Sequence, residues 1–207
     1  GKDHKIAYID GVAHQIKSEH TSVLKFVREY VGKDKIPSLC DDPNLAPYGA
    51  CRVCSVDMAL KKDGPTKTVA SCHTPITEGS YIITNNLIFI AGQVPFENGK
   101  INYTGKVGDN IDIVTAKKIA RICGLNILGV LKSALNDDLS KVKKCVKLGI
   151  FVSCTNSFNQ QPEVANGVSD LMVEIFGENG KHARFAVGTS SLPRNAPVEV
   201  DAIFEIY

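Results

Sequence analysis

The chain of 207 residues lacks three features that would assign it to a functional class at once. Its longest apolar run, residues 87–91, is far shorter than the ~20 residues that a membrane span needs. Its net charge of +2 gives no basic or acidic excess that favours nucleic acid or a membrane surface. No apolar segment follows the charged start, as a secretion signal would require. We therefore expect a cytoplasmic protein with no membrane span and no nucleic-acid partner.

The pattern of the sequence changes near residue 85, and a length of this size allows one or two domains. Alternation on either side of Gly11 predicts a β-hairpin over residues 5–17. A helical apolar stripe in residues 22–30 predicts a helix, with Ser18 or Thr21 as its cap. Further strands are predicted in residues 53–60, 66–71 and 80–84. We predict that residues 1–85 form the first of two domains.

The second predicted domain, residues 86–207, alternates strands with longer helices. Apolar residues at helical spacing predict helices over 112–135 and 161–176. Runs rich in Val, Ile and Phe predict strands. The predicted strands are residues 87–91, 142–154, 183–188 and 198–206, with a short one near 101–103.

Seven cysteines are present, and four of them are close together in the sequence. These four are Cys40, Cys51, Cys54 and Cys72. In a reducing compartment, clustered cysteines indicate a metal site more often than a disulfide framework. Iron–sulfur clusters are held by thiolates, four for a 2Fe-2S cluster. The other three, Cys123, Cys145 and Cys154, stand singly among apolar residues and are predicted to be core.

Zinc is the competing metal for the four clustered cysteines. A Cys₄ zinc site usually has two close Cys pairs, whereas only Cys51 and Cys54 form such a pair here. The spacing therefore favours a 2Fe-2S cluster, with zinc and purely structural thiols as the alternatives.

Three segments of the first half carry a family resemblance: Ser38-Leu39-Cys40, Gly49-Ala50-Cys51-Arg52-Val53-Cys54 and Ser71-Cys72-His73-Thr74-Pro75. They resemble the N-terminal 2Fe-2S domain of the large iron–sulfur subunit of respiratory complex I, iron-only hydrogenases and NAD-dependent formate dehydrogenases. The resemblance implies a β-grasp ferredoxin-like fold in which the four clustered cysteines are the ligands. It also implies a redox partner, either a flavoprotein or a neighbouring iron–sulfur protein.

The second half carries a different set of segments: residues 86–95, His182-Ala183-Arg184, Leu192-Pro193 and residues 197–203. They resemble the RidA/YjgF family. This resemblance implies an α/β fold like that of chorismate mutase and a homotrimer formed through residues 86–207. In active members, clefts between subunits hydrolyse reactive enamines and imines derived from amino acids. The expected class of the whole chain is therefore α+β.

The same resemblance implies three site residues. Arg184, at the family's arginine position, would bind the carboxylate of a small imino acid. Glu199 matches the glutamate that positions the attacking water, and Asn166 lies near a cleft position. The alternative is that Arg184 and Glu199 form a structural ion pair at a subunit interface.

Three departures from the family pattern bear on activity. Ala91 stands where the family often has Ser, and Ala186 stands where it often has Cys. The N-terminal strand with a cleft tyrosine is missing, and Tyr81 lies three residues away from that place.

Together the two resemblances predict electron transfer through a 2Fe-2S cluster carried on a RidA-like trimer. One alternative is a 2-iminobutanoate/2-iminopropanoate deaminase with an iron–sulfur appendage. The other is a fusion in which the RidA-like half is only structural.

Overall fold

A computed structural model describes residues 5–32, 36, 53–84 and 86–207 of the chain. The chain divides into two compact units, Gly1–Phe89 and Ile90–Tyr207. Among the described residues, no helix has both the length and the apolar character that crossing a bilayer requires.

The described part of the first unit contains a mixed sheet and one α-helix. Its elements are β1 (Ile6–Ile9), β2 (Val12–Gln15), α1 (Val23–Val31), β3 (Ser55–Ala59), β4 (Lys67–Ala70) and β5 (Tyr81–Ile83). The strand order is β2-β1-β5-β3-β4. Strand β1 is antiparallel to β2, which confirms the predicted hairpin, and parallel to β5.

Neither predicted cap is the N-cap of helix α1, which begins at Val23, one residue later than a Thr21 cap would give. Ser22 is the N-cap, and its Oγ accepts a hydrogen bond from the backbone N–H of Lys25 at 3.3 Å. The bond satisfies one of the N–H groups that a helix start leaves without a partner. The buried side chains of α1 share one apolar cluster with residues of the sheet, which fixes the helix on it.

The second unit is a four-stranded sheet with two long helices. Its elements are β6 (Leu87–Gln93), β7 (Phe96–Glu97), β8 (Lys100–Ile101), α2 (Ile113–Ala134), β9 (Val142–Ser153), α3 (Gln161–Phe176), β10 (Ala183–Thr189) and β11 (Val198–Ile206). Strand β6 begins three residues before the boundary between the units and pairs in the sheet of the second unit. The order in the main sheet is β10-β9-β11-β6, while β7 and β8 pair separately. Strand β9 is parallel to β10 and antiparallel to β11.

Both long helices lie where the apolar periodicity predicts them. Helix α2 starts after Asp112, whose carboxylate accepts from the Thr115 N–H at 2.7 Å. The two helices contact each other and the sheet, and the β9 side chains Leu148, Ile150 and Val152 are fully buried. Along strand β6, Ile88 and Ile90 are buried, whereas the residues on either side of them are accessible.

The three single cysteines are core residues, as predicted. Cys123 and Cys145 are fully buried and Cys154 nearly so. Burial raises the pKa of Cys145 to about 12 and raises the pKa of Cys123 as well. Both thiols therefore stay protonated at neutral pH and are poor nucleophiles.

Helices α2 and α3 approach each other closely at Gly167. A Cβ atom placed on Gly167 would lie 1.9 Å from the backbone oxygen of Lys117 in α2. A backbone atom cannot move aside as a flexible side chain can. The glycine therefore sets the distance between the two helices.

We expect Gly167→Ala to destabilise the chain by about 2–3 kcal/mol, because the helices must separate to admit a methyl group. Gly129→Ala is the matched control, since a Cβ at Gly129 meets nothing within 4 Å. That change should stabilise helix α2 by about 0.5–1 kcal/mol. Urea unfolding followed by circular dichroism measures both, and equal midpoints for the two variants would contradict the close helix crossing.

Candidate functional site

Arg184 and Asn166, both predicted as site residues, lie together in the structure. Arg184 is on the edge strand β10, next to helix α3. Its Nη1 donates to Asn166 Oδ1 and to Ser169 Oγ, each at 2.9 Å. Its Nη2 donates to the backbone oxygen of Pro162 at 3.4 Å. Helix α3 therefore supplies every acceptor that the described residues offer to this guanidinium.

All three acceptors of Arg184 are neutral. Within the described part of the chain, no carboxylate lies within ion-pair distance of it. The two Nη1 protons are used, but Nε–H and one Nη2 proton have no acceptor among those residues. The side chain is exposed, and a guanidinium edge with two free donors matches the two oxygens of a carboxylate. The arrangement can therefore bind a small organic acid.

Two residues that sequence reasoning missed complete this network. Ser169 Oγ lies 2.9 Å from His182 Nε2, and His182 Nδ1 lies 2.6 Å from the backbone oxygen of Gly180. The signals were present in the sequence. Ser169 is three residues after Asn166, so both occupy one helix face. His182 directly precedes β10 and is two residues before Arg184, so the alternation of an extended chain puts both side chains on the same side.

Glu199 lies on strand β11, partly buried against Gly92 of β6. A Cβ on Gly92 would lie 2.3 Å from Glu199 Oε1, so the carboxylate occupies the space that the glycine leaves. Burial, followed by the nearby Asp201 carboxylate, raises the pKa of Glu199 above its usual value. The carboxylate is therefore a stronger base than one in water.

Arg184 and Glu199 lie on opposite faces of the sheet. Arg184 pairs in register with Leu148, and Glu199 pairs with Phe151, three residues further along β9. Neighbours in register share a face, and an odd offset along a strand changes the face. Leu148 is buried under the helices, whereas Phe151 is 41% exposed on the other side. The proposed ion pair therefore does not form within one chain, and a site that uses both residues needs a second copy.

The two substituted positions, Ala91 and Ala186, contribute no acid–base group. Ala186 follows Arg184 by two residues on β10, on the same face, and offers a methyl group there. Ala91 is exposed at the end of β6. Tyr81 belongs to the first unit, where its ring stacks on that of Tyr8 with centroids 4.3 Å apart.

The predicted cluster ligands are only half described. Cys54 and Cys72 are buried, and the backbone N–H of Cys72 lies 3.4 Å from Cys54 Sγ. Cys40 and Cys51 lie outside the described residues. Within the described ranges, no three or more His, Cys, Asp or Glu side chains are grouped so that they could hold a metal ion.

The second unit defines the class of the protein: a mixed α/β domain with a chorismate-mutase-like sheet and two helices on one face. Residues 68–206 match the family described as "YjgF/chorismate mutase-like, putative endoribonuclease". The chain belongs to this family. The match begins inside the segment that the sequence assigned to the first domain.

The chain is also similar to individual proteins. Protein TCP17 of Trypanosoma cruzi is 41% identical over 128 residues, which are 61% of this chain and 79% of that protein. A RutC family protein of Pyrococcus abyssi is 32% identical over 124 residues, 59% of this chain and 80% of that protein. The crystal structure of Atu1372 from Agrobacterium tumefaciens is 49% identical, with a TM-score of 0.59 over 60% of this chain and 79% of that one.

The description of the chain as an iron–sulfur, ferredoxin-type, metal-binding electron-transport protein is therefore wrong. The family match overturns it, and the described residues contain no group of metal ligands. A cluster needs four thiolates that converge, and the described part of the first unit brings only two together. The 2Fe-2S cofactor itself stays a prediction, because Cys40 and Cys51 are not described.

We expect Asp201→Asn to lower the pKa of Glu199, because the change removes a negative charge that favours the protonated carboxyl. A ¹³C NMR titration of the side-chain carboxyl groups measures this shift, with Glu199→Gln to assign the signal. Asp170→Asn is the control, since Asp170 lies on the outer surface of α3 and pairs with Lys117. An unchanged Glu199 titration in the Asp201 variant would show that the two carboxylates do not interact.

Proposed function

We propose that the chain hydrolyses small 2-imino acids, or the enamines in equilibrium with them, as a RidA-type deaminase. The observation that carries this proposal is the exposed guanidinium of Arg184, which donates to three neutral oxygens and has two donors without an acceptor among the described residues. When no acidic side chain pairs with an arginine, its positive charge is available to attract the carboxylate of a ligand. The substrates that fit are short acids such as 2-iminopropanoate and 2-iminobutanoate.

In the proposed reaction, the substrate carboxylate pairs with the free edge of Arg184. Asn166 holds the guanidinium from the other side. Water adds to the imine carbon, the carbon–nitrogen bond breaks, and ammonia leaves with a 2-oxo acid as the other product. Fixing the carboxylate places the imine carbon at a constant distance from the protein groups, which lowers the entropy cost of the attack.

Glu199 is proposed to position the water, and it would come from a second copy of the chain. Its raised pKa supports this role, since a general base works best when its pKa approaches the working pH. Members of the family are typically homotrimers. The sheet face that carries Glu199 also presents Phe151 and Val187, 41% and 43% exposed in the single chain. We propose that a homotrimer covers this apolar face.

We also propose that the first unit has a β-grasp fold. In its described part, the sheet has the parallel pair β1 and β5 at its centre, with β2 on one side and β3 and β4 on the other. Helix α1 shares an apolar cluster with this sheet. This proposal concerns the fold alone and carries no electron-transfer function.

We expect Arg184→Ala to reduce kcat/KM for 2-iminopropanoate at least about 100-fold, mainly through KM, because a charge-assisted bidentate contact is lost. Formation of pyruvate measures the rate. Arg121→Ala is the control, since Arg121 is an exposed arginine whose charge already pairs with Glu174 on the helix surface. A trimeric wild-type chain with no hydrolysis would instead favour a purely structural role for the second unit.

We expect Gly92→Ala to lower kcat about tenfold or more while leaving thermal stability nearly unchanged. The new methyl group would displace the Glu199 carboxylate, which is the flexible end of a side chain and can move without disturbing the backbone. Gly129→Ala serves as the control for the same chemical change elsewhere. If Gly92→Ala retained full kcat, Glu199 would have no role in positioning water.

A further inference from the structure

We propose that Ser169 and His182 are positioning residues that orient Arg184 toward the carboxylate of a ligand. They do so through a chain of hydrogen bonds in which Arg184 donates to Ser169, Ser169 to His182, and His182 to the Gly180 backbone oxygen. This inference rests on the proposed function and adds two residues to the same site. Its basis is the series of contacts from the Gly180 oxygen through His182 and Ser169 to Arg184, at 2.6, 2.9 and 2.9 Å.

The direction of the chain follows from the Gly180 backbone oxygen, which can only accept. His182 Nδ1 must therefore carry the proton, and in a neutral imidazole Nε2 is then an acceptor. Nε2 takes the hydroxyl proton of Ser169, which turns a lone pair of Ser169 Oγ toward Arg184. The Nη1 proton of Arg184 completes the chain.

His182 prevents the competing arrangement of Ser169. A serine in the middle of a helix readily donates to the carbonyl four residues earlier, which for Ser169 is that of Ala165. In that arrangement the lone pairs of the hydroxyl would turn away from the guanidinium. The acceptor at His182 Nε2 draws the proton to the strand side, so the oxygen stays available to Arg184.

The chain fixes the guanidinium without neutralising it. Asn166 and Ser169, one turn apart on α3, accept the two Nη1 protons and so set the plane of the group. Arg121 shows the contrast within the same unit, because its two contacts go to the Glu174 carboxylate. A carboxylate partner would compete with a ligand, whereas hydroxyl and amide oxygens do not.

Four variants of the full chain test this inference, with pyruvate as the carboxylate probe in calorimetry. Ser169→Ala removes the oxygen, and Ser169→Thr keeps it. His182→Gln places an amide oxygen near the position of Nε2, whereas His182→Asn reaches only the position of Nδ1. We expect about a tenfold weaker Kd for Ser169→Ala and His182→Asn, as for loss of one hydrogen bond to a charged group. The Thr and Gln variants should stay within about threefold of wild type.

Kinetics with 2-iminopropanoate should show the same order of variants in KM, with kcat changed much less. A merely structural role of His182 would not distinguish His182→Gln from His182→Asn. Equal Kd values for wild type and Ser169→Ala, or equal losses in His182→Gln and His182→Asn, would overturn the inference. Failure of the wild type to bind pyruvate would overturn both this inference and the carboxylate site. Pyruvate binding with the expected order but no hydrolysis would support the positioning pair and refute the deaminase.

Discussion

The candidate site depends on the hydrogen bonds that the Arg184 guanidinium donates to neutral oxygens of helix α3. They exist because the parallel pairing of β9 and β10 puts Arg184 on the edge strand, on the face that the helices cover. Asn166 and Ser169 reach it from α3. An arginine held in this way stays charged and oriented, and these are the two properties that recognition of a small acid requires.

The alternation of side chains along a strand imposes the second constraint. Arg184 and Glu199 belong to opposite faces of one sheet, so one chain cannot place both on one substrate. The proposed chemistry therefore depends on assembly. The exposed aromatic and aliphatic side chains beside Glu199 give a hydrophobic reason for copies to associate on that face. Gly92 leaves the space that the Glu199 carboxylate occupies at this face.

Some of this was accessible from the sequence. Apolar periodicity located both long helices, and the resemblance to the RidA/YjgF family selected Arg184 and Asn166. The same approach missed Ser169 and His182, because each residue type has many ordinary roles and their contact joins a helix to a strand. It also led to an incorrect electron-transport description. Cysteine spacing is a local pattern, whereas metal binding needs thiols that converge in space.

The sequence by itself determined the helices and most strands, the burial of Cys123, Cys145 and Cys154, and the family of the chain. These properties depend on local periodicity and on short motifs. The tertiary structure alone decided which face Arg184 and Glu199 occupy and that the partners of Arg184 within the described ranges are all neutral. It alone also brings His182 to Ser169. The physical reason is that the face of a strand residue is defined only once its pairing register is fixed. A hydrogen-bond network likewise has a direction only when all its members are in contact.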